Sequence, residues 1–213
     1  MVMVGAGSGG VLFELARRHF RIFKELLDVV GAAVSLMVFL PVMVVCGILI
    51  KVADPSAPVL YQQVRVGLNG RLFKIYKLRT MYADAEKAGR AQWAGEHDPR
   101  VIPICRWMRR SHIDELPQLI NILCGEMSLV GPRPERPEMF AQPSQDLPDF
   151  EQRLAVKPGL TGLAQLRNGY DTDIESVRRK LEYDLEYIEK MSLGLELRLL
   201  FATVSKFRDR TAR

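Results

Sequence analysis

Val29 to Ile50 reads VVGAAVSLMVFLPVMVVCGILI, a stretch without a single charge, bounded by Asp28 on one side and Lys51 on the other. As a helix it rises about 33 Å, enough for a hydrocarbon core of about 30 Å. A cleaved signal peptide does not fit: the run is too long, begins too late and has no small-x-small site after it. Met43-Val44-Val45-Cys46 is a poor lipid-attachment box. A buried helix of a soluble protein is the alternative, and the length of the run argues against it. The segment belongs to a membrane. Pro41 lies just past its middle, where it removes one backbone hydrogen bond and crowds the carbonyl of Met37. Arg17, Arg18, Arg21 and Lys24 precede the run and Lys51, Arg65 and Arg71 follow it, so positive charge marks neither end as the outer one. A proline-kinked span and a helix that breaks and turns back both remain open.

The rest of the composition narrows the class. The chain has 213 residues, with Lys+Arg 30 against Asp+Glu 25, a formal charge of +5 and 48% hydrophobic residues. That excludes disorder along the whole length and fits one domain, or one domain plus an appendage. Cys46, Cys105 and Cys124 are scattered and odd in number, which argues against a disulfide framework or a structural zinc. His19, His97 and His112 form no metal-binding pair. Gly5-Ala6-Gly7-Ser8-Gly9-Gly10 satisfies GxGxxG literally, but a basic helical stretch, VLFELARRHFRIFKELLD, follows it where a dinucleotide fold needs a second strand. The glycines read as a flexible leader.

After the apolar run, VLYQQVRVGLNGRLFKIYKLRTM predicts a β-hairpin turning at Gly67 to Gly70, since Asn-Gly is a strong hairpin signal. Tyr82 to Arg100 is polar and reads as part helix, part loop. Leu116, Leu119, Ile120, Ile122 and Leu123 have helical spacing. Gly131 to Pro148 is rich in proline and reads as an ordered or draped loop. Two helices are expected over Ile174 to Met191 and Leu193 to Phe207, the second as a core helix or one lying in the membrane interface.

The chemistry concentrates at Asp114-Glu115. Pro117 is tolerated in the first turn of a helix, which makes Asp114 the expected N-cap and puts Glu115 in the first turn. An acidic cap with a dipole-stabilising glutamate explains such a pair without any function. The functional reading is that a helix N-terminus keeps a carboxylate ionised, that the adjacent one binds a divalent cation, and that a carboxylate attacks phosphorus. Arg65, Lys74, Lys77, Arg79, Arg100, Arg106, Arg109, Arg110 and Arg133 supply the cations a diphosphate needs. A solvated or lipid-facing basic surface is the bland account of any one of them. Nucleic acid is disfavoured as a partner, for want of a binding motif or interleaved aromatics.

In chain order, Lys24…Asp28, Pro41, Gln63-Val64-Arg65-Val66-Gly67-Leu68-Asn69-Gly70, Phe73-Lys74-Ile75-Tyr76-Lys77-Leu78-Arg79-Thr80-Met81, Asp98-Pro99-Arg100, Asp114-Glu115-Leu116-Pro117-Gln118-Leu119, Met127 to Glu135 (MSLVGPRPE) and Val156 to Gly162 (VKPGLTG) resemble the monotopic phosphoglycosyl transferases, or bacterial sugar transferases. The likeness covers roughly Phe23 to Phe207. It implies an α+β fold, mostly helical with a short hairpin, anchored by a re-entrant helix-break-helix with its break at Pro41. It implies the divisions 1–22 (leader and basic amphipathic helix), 23–51 (re-entrant helix), 52–207 (cytoplasmic catalytic domain) and 208–213 (tail).

By the same resemblance, Asp114 attacks the β-phosphate of a UDP-sugar, expelling UMP, and polyprenyl (undecaprenyl) phosphate collects the sugar-phosphate. Glu115 holds Mg²⁺, Lys77 and Arg109 steady phosphates, Arg133 serves nucleotide recognition, and Arg65 and Arg79 assist. The expected place is the cytoplasmic face of a bacterial inner membrane, with membrane lipid as a partner and a homodimer left open. Leu40, Glu25 and Leu163 depart from the family's usual serine, arginine and tryptophan. Larger relatives carry further membrane helices ahead of this unit, so the expectation is a minimal enzyme or a catalytic portion of a larger one.

Overall fold

The computed structural model describes residues 8–83, 85, 98–168 and 173–208. Gly5 to Gly7, at the heart of the glycine leader, and most of the polar stretch 82–100 lie outside them. The apolar run sits within one long helix, α1 (Ser8–Ala53), with Pro41 inside it. Helical backbone continues through the proline, so the secondary structure alone does not show the expected helix-break-helix. Proline forfeits one N–H bond but is tolerated inside long apolar helices, where the remaining backbone groups stay satisfied within the helix. Among the described residues α1 begins at Ser8, inside the glycine-rich stretch. One helix among the described residues, His19–Ala53, is long and apolar enough to cross a membrane.

The hairpin forms where expected. Strand β1 (Leu60–Val66) pairs antiparallel with β2 (Leu72–Leu78), with Gln63 opposite Ile75. Asn69 (φ 53°) and Gly70 (φ 76°) take the left-handed conformations that let the chain turn. Two short helices follow, α2 (Arg106–Arg110) and α3 (Gln118–Leu123). Next comes a three-residue strand, β3 (Ser128–Val130), parallel to β4 (Gly159–Thr161). This pair was not foreseen, because strands so short leave no alternation to read. Its sequence mark is glycine: a Cβ on Gly159 would stand 2.0 Å from the backbone nitrogen of Gly131, so any side chain there drives the two segments apart.

Between β3 and β4 the supposed loop is part helix, α4 (Pro137–Asp146), with Pro137 in its first turn. Beyond β4 come α5 (Leu163–Arg167), α6 (Ile174–Glu189) and α7 (Leu193–Arg208), the last two matching the helical periodicity. Asp173 caps α6 by accepting from the Ser176 amide, with the Ser176 hydroxyl reciprocating.

The domain packs on α1 at two places. Ala32 joins a core made by Ile75, Leu119, Ile122, Leu129, Val130, Tyr187 and Leu199. Cys46 and Ile50 join a second core with Leu78, Ile102, Cys105 and Met108. At the first contact the buried carboxylate of Asp28 accepts from the Leu129 amide (2.9 Å) and the Ser128 hydroxyl (3.0 Å). Lys24 reaches the Val130 carbonyl and the buried Glu196. Between the two contacts α1 is bare: Met37 is 77% exposed, and Val34, Val38, Leu40, Val44 and Val45 are each more than half exposed. On α7, Leu199 is buried while Phe201 and Val204 face outward, so this helix serves as core on one side and presents an apolar face on the other.

Candidate active site

Lys77 projects from the C-terminal end of β2 onto the segment between α2 and α3. Along β2, Phe73, Ile75 and Lys77 share one face by the two-residue period of a strand, and Ile75 fixes that face in the core. Asn121, fully buried on α3, holds β2 in place: its side chain accepts from the Tyr76 amide (3.1 Å) and donates to the Lys74 carbonyl (2.7 Å). Nothing in the spacing of the sequence singled out Asn121.

Asp114 and Glu115 do not cap α3. They belong to a 3₁₀ turn, Ile113–Glu115, entered through His112 in a left-handed conformation (φ 51°), and α3 starts only at Gln118 with Pro117 before it. Both carboxylates are 8% exposed. Glu115 is fully engaged. Lys77 Nζ donates to its Oε1 at 2.8 Å, while Arg133 donates Nη2 to Oε1 (2.6 Å) and Nη1 to Oε2 (3.1 Å). Asp114 Oδ1, by contrast, is buried with no hydrogen-bond partner among the described residues.

The two neighbours consequently titrate in opposite directions. Burial, then the charge of Glu115, pushes Asp114 up to about 6, with Lys77 and Arg109 pulling the other way. Burial works on Glu115 too, but Arg133 and Lys77 outweigh it and hold its carboxyl well below the usual range. The expectation of an ionised, dipole-stabilised Asp114 is thus reversed: without a helix N-terminus under it, desolvation decides. Burial also lowers Lys77, with Glu115 opposing, and the Glu115 carboxylate raises Arg133.

The other expected phosphate ligands divide. Arg109 stands by the pair, with Nη1 3.5 Å from the Thr80 hydroxyl. Arg65 lies on the Arg133 side, donating to the Pro134 carbonyl and to Gln63, and burial next to Arg133 lowers its guanidinium to about 10. Arg79 is elsewhere. It is buried at the exit of α1, its donors taken by the Asp54 carboxylate and carbonyl and by the carbonyls of Ala57 and Pro58. It lies one residue past the end of β2, so the face shared by Phe73, Ile75 and Lys77 does not extend to it.

The site thus sets a buried carboxylate oxygen without a hydrogen-bond partner beside the charges of Lys77, Arg109 and Arg133. The profile described as bacterial sugar transferase matches residues 19–210. The chain belongs to the bacterial sugar transferase family. Over 185 residues it is 39% identical to a protein of Aeromonas hydrophila named UDP-N-acetylgalactosamine-undecaprenyl-phosphate N-acetylgalactosaminephosphotransferase, covering 87% of this chain and 43% of that one. It is 42% identical over 184 residues to UDP-glucose:undecaprenyl-phosphate glucose-1-phosphate transferase of Caulobacter vibrioides, covering 85% and 68%. It is also 37% identical over 189 residues to the exopolysaccharide production protein PSS of Rhizobium leguminosarum bv. phaseoli, covering 86% and 94%. The chain thus spans less than half of the first of these relatives and nearly all of the last.

Proposed function

We propose that this sugar transferase moves a sugar-1-phosphate from a UDP-sugar to a polyprenyl phosphate of the undecaprenyl type, through a phosphosugar carried on Asp114. The observation that carries the reading is the partnerless Asp114 oxygen next to a glutamate held by Lys77 and Arg133. In the first step Asp114 Oδ1 bonds to the β-phosphorus, and the bond from that phosphorus to the bridging oxygen breaks. UMP leaves with the oxygen. In the second, a phosphate oxygen of the polyprenyl phosphate bonds to the same phosphorus, and the aspartyl–phosphorus bond breaks. The products are UMP and a polyprenyl diphosphosugar, and Asp114 is a free carboxylate again. Both nucleophiles are anions, so neither step needs a general base once Asp114 is deprotonated. Lys77, Arg109 and Arg133 bind the phosphates and meet the charge that builds on the equatorial oxygens.

Mg²⁺ is the ion this reading calls for. Among the described residues no three His, Cys, Asp or Glu side chains gather as a protein cage, and Mg²⁺ is ordinarily held by one or two carboxylates together with substrate phosphates. Both Glu115 oxygens are taken by Lys77 and Arg133, so to hold the ion, which when bound neutralises phosphate charge, Glu115 would exchange one of these bonds for the metal.

The anchor reading rests on the two contacts of α1. Asp28 and Ile50 lie 22 residues apart, about 33 Å along a helix, yet both pack on the same domain. A helix crossing the bilayer upright would draw that domain through most of the membrane's thickness. We therefore place α1 in one leaflet, leaving by the side it entered through a bend at Pro41, where the lost hydrogen bond lets a continuous helix kink, with the domain on the cytoplasmic face of a bacterial inner membrane. A conventional glycosyltransferase would release UDP from the same donor, and a scaffold would release nothing. A panel of UDP-sugars given to the chain with polyprenyl phosphate and Mg²⁺ decides among them: UMP is expected, from one sugar above the rest, and UDP as product overturns the mechanism.

A further inference from the structure

Behind Arg133 lies a second set of charges that neither step uses. Arg153, from a 3₁₀ turn over Phe150–Ala155, and Asp184, from the middle of α6, have side chains 2% exposed, with Nη2 and Oδ2 2.7 Å apart. The same Nη2 donates to the Arg133 carbonyl at 2.9 Å, and Nη1 stands 3.6 Å from Oε1 of Glu135. Lys180, one turn before Asp184, donates to that Glu135 oxygen.

The reason for such a group is in the sequence Pro132-Arg133-Pro134-Glu135. Two prolines remove two amide donors, so this segment cannot be held by a ladder of its own N–H groups. It is held by its carbonyls. Pro132 accepts from the Gly159 amide, Arg133 from Arg153, Pro134 from Arg65 (3.0 Å) and Glu135 from the Val66 amide (2.9 Å). Buried charges are a poor way to gain stability, since apolar groups of similar shape serve as well or better. What charge adds here is direction, because a guanidinium can hold a carboxylate and a carbonyl in a fixed relation.

We propose that Glu135, Arg153, Lys180 and Asp184 form a buried brace that sets the position of Arg133, and through its fork on Glu115 the affinity of the site for the diphosphate donor. None of the four touches substrate; they are positioning residues. Burial raises Asp184 against the pull of Arg153 and Lys180, whereas for Glu135 Lys180 and Arg153 outweigh burial and hold it at about 2, so the Glu135 charge persists at any working pH.

The proposal rests on the transfer reaction above, and the test separates the two. The full chain in nanodiscs is assayed for UMP release as Asp184→Asn and Arg153→Lys, each alone and combined with Arg133→Lys, with Glu135→Gln in place of any single that does not fold. Each single variant is expected to raise KM for the UDP-sugar about tenfold, change kcat less than about threefold and weaken UMP binding by calorimetry in step with KM. In the Arg133→Lys background the further rise disappears, because the brace acts through the residue already altered. Folded variants with unchanged KM, or effects that add fully to that of Arg133→Lys, overturn the brace while leaving the reaction standing. A parent chain that releases no UMP from any donor overturns the reaction, and the brace with it.

Discussion

Two charged clusters lie on opposite sides of the Pro132-Arg133-Pro134 segment, and they are built from nearly the same parts. The rear one has Glu135 and Asp184 against Arg153 and Lys180; the front one has Asp114 and Glu115 against Lys77 and Arg133. At the rear each carboxylate faces a cation. At the front Glu115 takes Lys77 and Arg133, and Asp114 is left with a buried oxygen that has no hydrogen-bond partner. Asp184 Oδ2, like Asp114 Oδ1, lacks a hydrogen bond of good geometry, but it stands in an ion pair with Arg153 at 2.7 Å, and Asp114 has no such pair among the described residues. An ion-pair partner for each carboxylate makes a strut, and a carboxylate left without one makes a reactive site. Composition alone cannot separate the two.

The largest effects come from breaking the front cluster. Asp114→Asn is expected to abolish sugar-dependent labelling of the protein and lower turnover by about 10⁴-fold or more, the scale seen when a nucleophile is removed. It should also stabilise the protein at pH 7. The Asp114 carboxyl is raised from 3.8 to about 6 on folding, so its contribution to stability is full below about pH 4 and is lost as pH rises through 6. The amide avoids that loss, worth about 3 kcal/mol at most. Glu115→Gln has the opposite sign. It leaves Lys77 and Arg133 facing a neutral group, so both activity, by about 10²-fold, and melting temperature should fall. A Glu115→Gln variant as stable as its parent would show that the cations do not depend on this carboxylate.

A middling effect sharpens the same contrast through pH. With Asp114 as nucleophile and a carboxyl near 6, kcat/KM for the first step should fall about tenfold per unit below pH 6 and level off above it. Glu115, held low by Arg133 and Lys77, stays charged over that range and adds no limb of its own. A rate flat down to pH 5 would mean that Asp114 is already ionised in the free enzyme.

How much of this was legible depended on the range of each interaction. The hairpin and α6 follow from local rules, a left-handed Asn-Gly turn and 3.6-residue spacing, and appear where those rules put them. Local rules failed at Asp114: Pro117 does precede a helix, but the carboxylates sit in a tighter turn ahead of it, and burial rather than the dipole governs their titration. The brace was invisible because its members are up to 49 residues apart, Glu135 to Asp184, and alone each reads as a surface charge. The docking of α1 at Asp28 and Ile50 was likewise a matter of tertiary contact, which the uniform apolar run could not disclose.

Arg79 gives the smallest effect and the cleanest contrast with Lys77, two residues earlier. Both looked like phosphate ligands; only Lys77 faces Glu115. Arg79 instead ties Asp54, Ala57 and Pro58 together where α1 ends, with bonds of 2.5 to 3.2 Å. Its planar fork reaches acceptors in several directions, which an ammonium on a single stem cannot do. Arg79→Lys should therefore lose one or two of these bonds and lower the melting temperature by about 5 °C, with KM for the UDP-sugar changed less than about twofold. Lys77→Arg, beside Glu115, should do the reverse and raise KM while sparing stability. If Arg79→Lys raised KM instead, the turn after the membrane helix would have to be counted as part of the substrate site.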